Sequence, residues 1–272
     1  MGAVTLLVGD LDGMTTYYRD AVGLVVLSAI DDTVTLGRGS TPLVVLERHP
    51  ELTNAAHGTA GLFHTAILFD TQAGLAAALY SVATHAPGSF TGSADHLVSQ
   101  AFYFDDPEGN GVELYWDRDR TLWSWAHGQV EMASLHLDPN EFLREHLAEN
   151  PHFGDAVIGH VHLAVGDIAS AREFYVDRLG FEATAEFGPQ ALFVSAGGYH
   201  HHMAMNTWGS TGAGPRTRAL GLGQVNIVVP TADDLGALGE RLTHYEVGLR
   251  HNGRVVSFGD PWNNIIRVTA TA

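Results

Sequence analysis

Apolar side chains recur along this chain with two different periods. Short runs of branched and aromatic residues at 3–8, 43–47, 62–69, 111–116 and 158–165, bounded by Gly or Asp, predict β-strands. Between them, Met14, Tyr17, Tyr18 and Val22 fall at helical spacing, as do Ala171, Phe174, Tyr175 and Leu179. The first of these helices spans about 12–22. Gly23 and Gly180 follow the two helices, where glycine suits a left-handed cap. A further helix is predicted over 72–84. Each quarter of the chain therefore reads strand, helix, three strands.

The pattern is also a repeat. Val8-Gly9-Asp10, Tyr18, Asp20 and Gly23 recur as Val165-Gly166-Asp167, Tyr175, Asp177 and Gly180, each 157 positions later (165 − 8). Asp106-Pro107 with Asn110 recurs as Asp260-Pro261 with Asn264, 154 positions later (260 − 106). Two related halves follow, 1–118 and 157–272, each holding two βαβββ modules. The segment 119–156 links them. Asp138-Pro139 with Glu141 is a helix start and predicts a short helix over 139–149. The Gly-rich stretch 209–223 predicts a mobile loop.

Composition narrows the function. The formal charge is −17, from 14 basic and 31 acidic residues. Such a field repels phosphate backbones and anionic bilayers, which excludes nucleic acid and membrane as partners. No apolar run of about 18 residues predicts a membrane span. The first residues enter a strand directly, without the basic and apolar regions of a signal peptide, so a cytoplasmic protein is expected. There are no cysteines and 16 histidines. Any metal site must be built from His, Asp and Glu.

Several motifs stand out: Gly61-Leu-Phe-His-Thr-Ala66, Asp95-His-Leu-Val-Ser99, Asp106-Pro-Glu-Gly-Asn-Gly-Val-Glu113 and Gly159-His-Val-His-Leu163. Further on come Ala196-Gly-Gly-Tyr-His-His-His202 and Asn206-Thr-Trp208. With four βαβββ units, the chain resembles the vicinal oxygen chelate superfamily of glyoxalases, bleomycin-resistance proteins and extradiol dioxygenases. Within it, the chain is most similar to the two-domain catechol 2,3-dioxygenase-like branch. The resemblance implies an α+β fold in which pairs of modules curve into two half-open β-barrels, with metal ligands on the inner face.

The resemblance also implies where ligands lie, on the first and last strand of each module. Those positions are Thr5, His64, His162 and Gln224, and Glu47, Glu113, Asn206 and Arg267. Modules three and four would place a cation at a ligand position. Modules two and three offer His64, Glu113 and His162, a two-histidine, one-carboxylate set that suits non-haem Fe(II) with open positions. The leftover modules one and four would then pair Glu47 with Arg267 in an inactive hollow. A strand histidine alone is more often structural, and a carboxylate after a tight turn more often a surface group. Their combination within the repeat favours the metal role.

Around this centre, strand alternation puts His200 and His202 on the face of Asn206 and His201 on the other. His200 and His202 are then acid–base groups in the pocket or a fourth ligand. His96 either bonds Asp95 or backbone, or serves the pocket. His160 shares the face of His162. Tyr103, Phe193, Tyr199 and Trp208 form an aromatic wall or ordinary core; with Asn206 and His160, three of them (Tyr103, Tyr199 and Trp208) are the candidate substrate contacts. The resemblance implies a small aromatic diol and O2 as substrates, with Fe(II), or Mn, Ni or Zn, as cofactor, in a protein that could be a homodimer. Two alternatives stay open: a glyoxalase-like metal-dependent lyase or isomerase, and a protein that binds an aromatic compound without turnover.

Overall fold

A computed structural model of the protein describes residues 1–271. Module one holds β1 (Val4–Val8), α1 (Leu11–Thr16), β2 (Val25–Ile30), β3 (Thr33–Arg38) and β4 (Thr41–Arg48). Module two holds β5 (Gly61–Phe69), α2 (Gln72–His85), β6 (Phe90–Asp95), β7 (Ser99–Asp105) and β8 (Gly111–Asp117). The link carries a two-residue pair, β9 (Trp125–Ala126) and β10 (Gln129–Val130), and α3 (Pro139–His146), capped by Asp138 as its sequence requires. Module three holds β11 (Ala156–Ala164), α4 (Ile168–Arg172), β12 (Glu182–Glu186), β13 (Ala191–Ser195) and β14 (Met203–Asn206). Module four holds β15 (Gly221–Val229), α5 (Ala232–His244), β16 (Leu249–His251), β17 (Val255–Gly259) and β18 (Ile265–Ala270).

The first and last strands of every module run parallel, and the first strands of two modules pair antiparallel to close an eight-stranded sheet. One sheet has the order β12-β13-β14-β11-β5-β8-β7-β6, so modules three and two share it. The other, β16-β17-β18-β15-β1-β4-β3-β2, joins modules four and one. Each sheet thus takes one module from either half of the sequence repeat. This is the α+β arrangement of paired βαβββ units. Among the described residues no helix is long and apolar enough to cross a membrane.

The helices differ from the uniform α-helices that the spacing predicts. α1 opens into a wider π-turn, Tyr17–Ala21, where Val22 N–H donates to the Tyr17 carbonyl five residues back. α4 does the same over Glu173–Arg178, with Leu179 N–H donating to Phe174. Both then end at glycines with φ of +79° and +91°. The widened turn buries two adjacent tyrosines in the first copy, and it aims the second of them, Tyr18, at the neighbouring module.

That aim ties the sheets together. The Tyr18 hydroxyl donates to Asp106 at 3.0 Å, and the Tyr175 hydroxyl donates to Asp260 at 2.8 Å. Each aspartate heads a tight turn. Its other oxygen accepts backbone N–H groups from Glu108 and Asn110, or from Trp262 and Asn264. Burial pushes Asp106 up to about 6, against the pull of these donors. Each bond runs from a helix over one sheet to a turn of the other, in opposite directions. Tyr175→Phe leaves Asp260 buried with one donor fewer, so urea unfolding should show a loss of about 1–3 kcal/mol; an unchanged midpoint would remove this tie from the account.

Candidate metal centre

The seam between β5 and β11 builds the site. Cross-strand partners share a face of a sheet. His160 on β11 lies opposite Ala66 on β5, Ala66 lies opposite Glu113 on β8, and Glu113 lies opposite Tyr103 on β7. Ala66 has no side chain beyond Cβ, so His160 and Glu113 lean together over it. The His160 Nε2 reaches 3.1 Å from Glu113 Oε2. His64, two residues before Ala66 on the same face, brings its Nε2 to 2.8 Å from that oxygen and 3.2 Å from His160 Nε2. All three residues are buried.

Close approaches are permitted by glycines. A Cβ at Gly159 would lie 1.7 Å from the Tyr115 hydroxyl, and one at Gly111 would lie 2.2 Å from the Phe63 carbonyl. The register also slips between Ile158 and His160, at Gly159, a bulge of the kind that re-aims a side chain.

The triangle fits a metal ion. Ligand atoms about 2.1 Å from a metal on one octahedral face lie about 3 Å apart. The three edges here bracket that value, and among the described residues these three donors are the group whose atoms converge closely enough for an ion. Burial works to raise the Glu113 pKa, but His160 and His64 outweigh it and hold the carboxylate well below its usual range. Burial lowers His160, with Glu113 opposing, so the imidazole stays neutral, as a ligand must be. One further observation belongs to His160: its Nδ1 is buried without a hydrogen-bond partner.

His162, the ligand position expected from sequence, stands outside this trio. The Asn206 carboxamide accepts from Trp208 N–H at 3.1 Å, which turns its amino group toward His162 Nε2 at 3.0 Å. The His162 lone pair is thereby used. His162 lies opposite His64 and beside Ala204 on β14, the counterpart of Glu113, so no fourth donor completes the set. A count from the helix caps singles out His160 on this strand. The caps Thr71 and Asp167 follow His64 and His160 by seven residues (71 − 64, 167 − 160). The same count from Asp10 and Thr231 gives Ala3 and Gln224 in the other sheet.

A cavity of about 650 Å³ opens over the trio. Phe63, Phe193 and Trp208 form an apolar side around His162, with ring centroids 4.9–5.8 Å from it. Across from them, His96 and Tyr103 line the cavity too. His96 Nδ1 bonds the Ala133 carbonyl at 2.7 Å, so its Nε2 accepts the Tyr103 hydroxyl at 2.7 Å. Both alternatives for His96, backbone partner and pocket residue, hold together.

The histidine cluster differs from its expected layout. Residues 200 and 201 lie before β14 begins, so strand alternation does not apply. His201 lines the cavity, with its ring centroid 4.1 Å from that of His160. His200 is buried behind it on Asp117, and Tyr199 shares that aspartate. His202 points to a separate hollow near Met1, where burial and the N-terminal amine push it down to about 4. In the other sheet, Thr5, Glu47 and Gln224 line a smaller hollow whose cations are Arg216 and Arg218, not Arg267. The stretch 209–223 is pinned rather than loose: Ser210 bonds the Val165 carbonyl, and Arg216 N–H bonds the Trp262 carbonyl.

The chain matches the model of the Glyoxalase/Bleomycin resistance protein/Dioxygenase superfamily over residues 1–114 and 157–267, and it belongs to that superfamily. It is 34% identical over 268 residues to a catechol-2,3-dioxygenase of Bacillus subtilis (strain 168), covering 96% of this chain and 93% of the relative. Among solved structures, a candidate dioxygenase of Bacillus subtilis superposes with a TM-score of 0.67 at 14% identity, over 99% of this chain and 85% of that one. A glyoxalase I mutant from Zea mays superposes with a TM-score of 0.61 at 16% identity, over 99% and 92%. These two share the fold.

Gly159→Ala forces Tyr115 away from β11. Overpacking of this kind costs about 1–3 kcal/mol, so thermal denaturation should show a lower midpoint, and native stability in the variant would contradict the contact.

Proposed function

We propose that the cavity is the active site of an extradiol-type dioxygenase, with His64, Glu113 and His160 holding one divalent metal and a catechol-type diol bound over them. The observation that carries this reading is the donor triangle of one carboxylate and two imidazoles, with Ala204 where a fourth ligand would stand. Two imidazoles and one carboxylate leave three adjacent positions of an octahedron open, enough for a chelating diol and O2. A bound ferrous ion would supply the redox chemistry between diol and O2. Both oxygen atoms enter the ring-opened product, so no external reductant is consumed. The relative named as a catechol-2,3-dioxygenase supports the same reaction class.

The protein's own groups divide the remaining work. Phe63, Phe193 and Trp208 offer an apolar surface to an aromatic ring and exclude water from it. His201, kept neutral by burial and by the neighbouring His160 and His200, can take a hydroxyl proton from the diol. Burial and the Glu113 charge keep the Tyr103 hydroxyl protonated; its one proton goes to His96, and its lone pairs stay open to accept from a diol hydroxyl. His96 holds that hydroxyl in place. A glyoxalase-like reading needs a second carboxylate ligand, for which Ala204 offers no atom, and simple sequestration of an aromatic compound needs no converging donors.

Two measurements test the proposal. In calorimetric titration of the metal-free protein with Fe(II) under anaerobic conditions, His160→Ala should weaken binding by more than about 100-fold, beyond the 10–100-fold typical of residues that only orient ligands. His162→Ala should weaken it by less than that. With Fe(II) loaded, catechols should draw one O2 per ring opened at an oxygen electrode. No uptake across a panel of substituted catechols would end the dioxygenase reading, and equal effects of the two variants would end the ligand assignment.

A further inference from the structure

We propose that Asp117, acting through His200, fixes His201 in the tautomer whose Nε2 lone pair faces the cavity, making Asp117 and His200 positioning residues for the pocket base. The inference rests on the reading of the cavity given above and adds a device that sets its proton inventory. Asp117 is the last residue of β8, four positions after Glu113. Its Oδ1 lies 2.8 Å from His200 Nε2, and its Oδ2 accepts the Tyr199 hydroxyl at 2.7 Å. His200 Nδ1 lies 2.7 Å from His201 Nδ1.

The direction of each bond follows in turn. An ionised carboxylate only accepts, so His200 Nε2 carries a proton. In the proposed pattern that is the one proton His200 carries, so its lone pair lies on Nδ1 and the nitrogen facing it, His201 Nδ1, is the donor. That leaves the lone pair of His201 on Nε2, and His201 lines the cavity. Tyr199 spends its proton on Asp117, so the Tyr115 hydroxyl, 2.7 Å away, donates to Tyr199. Both carboxylate oxygens are thereby engaged and the carboxylate cannot rotate.

The local chain is built to hold this line of rings. Gly197 and Gly198, at φ +69° and +67°, end β13 and turn the backbone so that consecutive side chains no longer alternate. The His200 carbonyl accepts the Thr184 hydroxyl at 2.5 Å, and the Tyr199 and His200 ring centroids lie 4.1 Å apart. His200 has no exposed surface. Its ring is therefore walled by Tyr199, Trp123 and Tyr115, which hold its plane in place.

The test reads tautomers, not turnover. In metal-free protein labelled with 15N at histidine, long-range 1H–15N correlation should find the His201 proton on Nδ1, its signals being assigned with His201→Gln. A second proton on His200 would reverse the last bond and put the His201 proton on Nε2, which overturns the proposal. Asp117→Ala should release the pattern, so that His201 appears mainly with its proton on Nε2, whereas Tyr199→Phe, which keeps the His200–Asp117 bond, should leave it on Nδ1. A His201 tautomer unmoved by Asp117→Ala would also overturn it. In turnover of the loaded protein, Asp117→Ala should lower kcat at least tenfold with KM held within twofold. Failure of all turnover in the native protein, with the His201 proton found on Nδ1, would sink the reaction and leave the positioning device standing.

Discussion

Everything at the site depends on the antiparallel pairing of β5 with β11. That seam fixes which residues stand abreast, and abreast here means on one face and within reach. The row His160, Ala66, Glu113, Tyr103 crosses four strands, and the row His162, His64, Gly111 runs beside it. Small residues between large ones create the hollow in which three donor atoms converge. A slip of one residue along the seam would turn His160 to the opposite face and dissolve the group. The precision of the donors is therefore a property of backbone hydrogen bonds, set far more stiffly than side-chain packing alone would set it.

The second sheet is made by the same rules and lacks the chemistry. Ala3 and Gln224 occupy the places of the two histidines, and Arg216 and Arg218 line its hollow. It contributes packing. One continuous apolar core runs from β1 and β4 through the helices to β11 and β14, and Tyr18 and Tyr175 lock the two layers with hydrogen bonds of opposite sense. The superfamily fold thus carries one chemically equipped half-barrel and one that supports it.

Much of this was legible in the sequence, and the misses have physical causes. The four modules follow from repeat spacing, the short linking helix from Asp138-Pro139, and the pairing of modules two and three from the ligand positions that the superfamily resemblance implies. Alternation points to His162 and His160 alike, because two histidines on one strand face cannot be told apart by it. Only a second coordinate, the distance to the helix cap, separates them. His201 was hidden for another reason: the period-2 rule holds only within a strand, and the glycine pair at 197–198 ends β13 before the histidines begin. The π-turns had no sequence signal, since their inserted residue leaves the apolar spacing nearly unchanged.

The interleaving of modules has a consequence for how the chain is made. The partner strands of the seam that carries the donor trio, at His64 and His162, are 98 residues apart (162 − 64), whereas those of the other seam, at Thr5 and Gln224, are 219 apart (224 − 5). The longer closure costs only about 0.7 kcal/mol more in chain entropy, but synthesis runs in one direction. Modules two and three can zip together while module four is still in the ribosome, and β1, made well before β15, must wait with an open edge until β15 arrives. The edge of β1 is therefore covered later than the β5–β11 seam, which leaves it longer exposed to chaperones and to mispairing with a neighbouring copy.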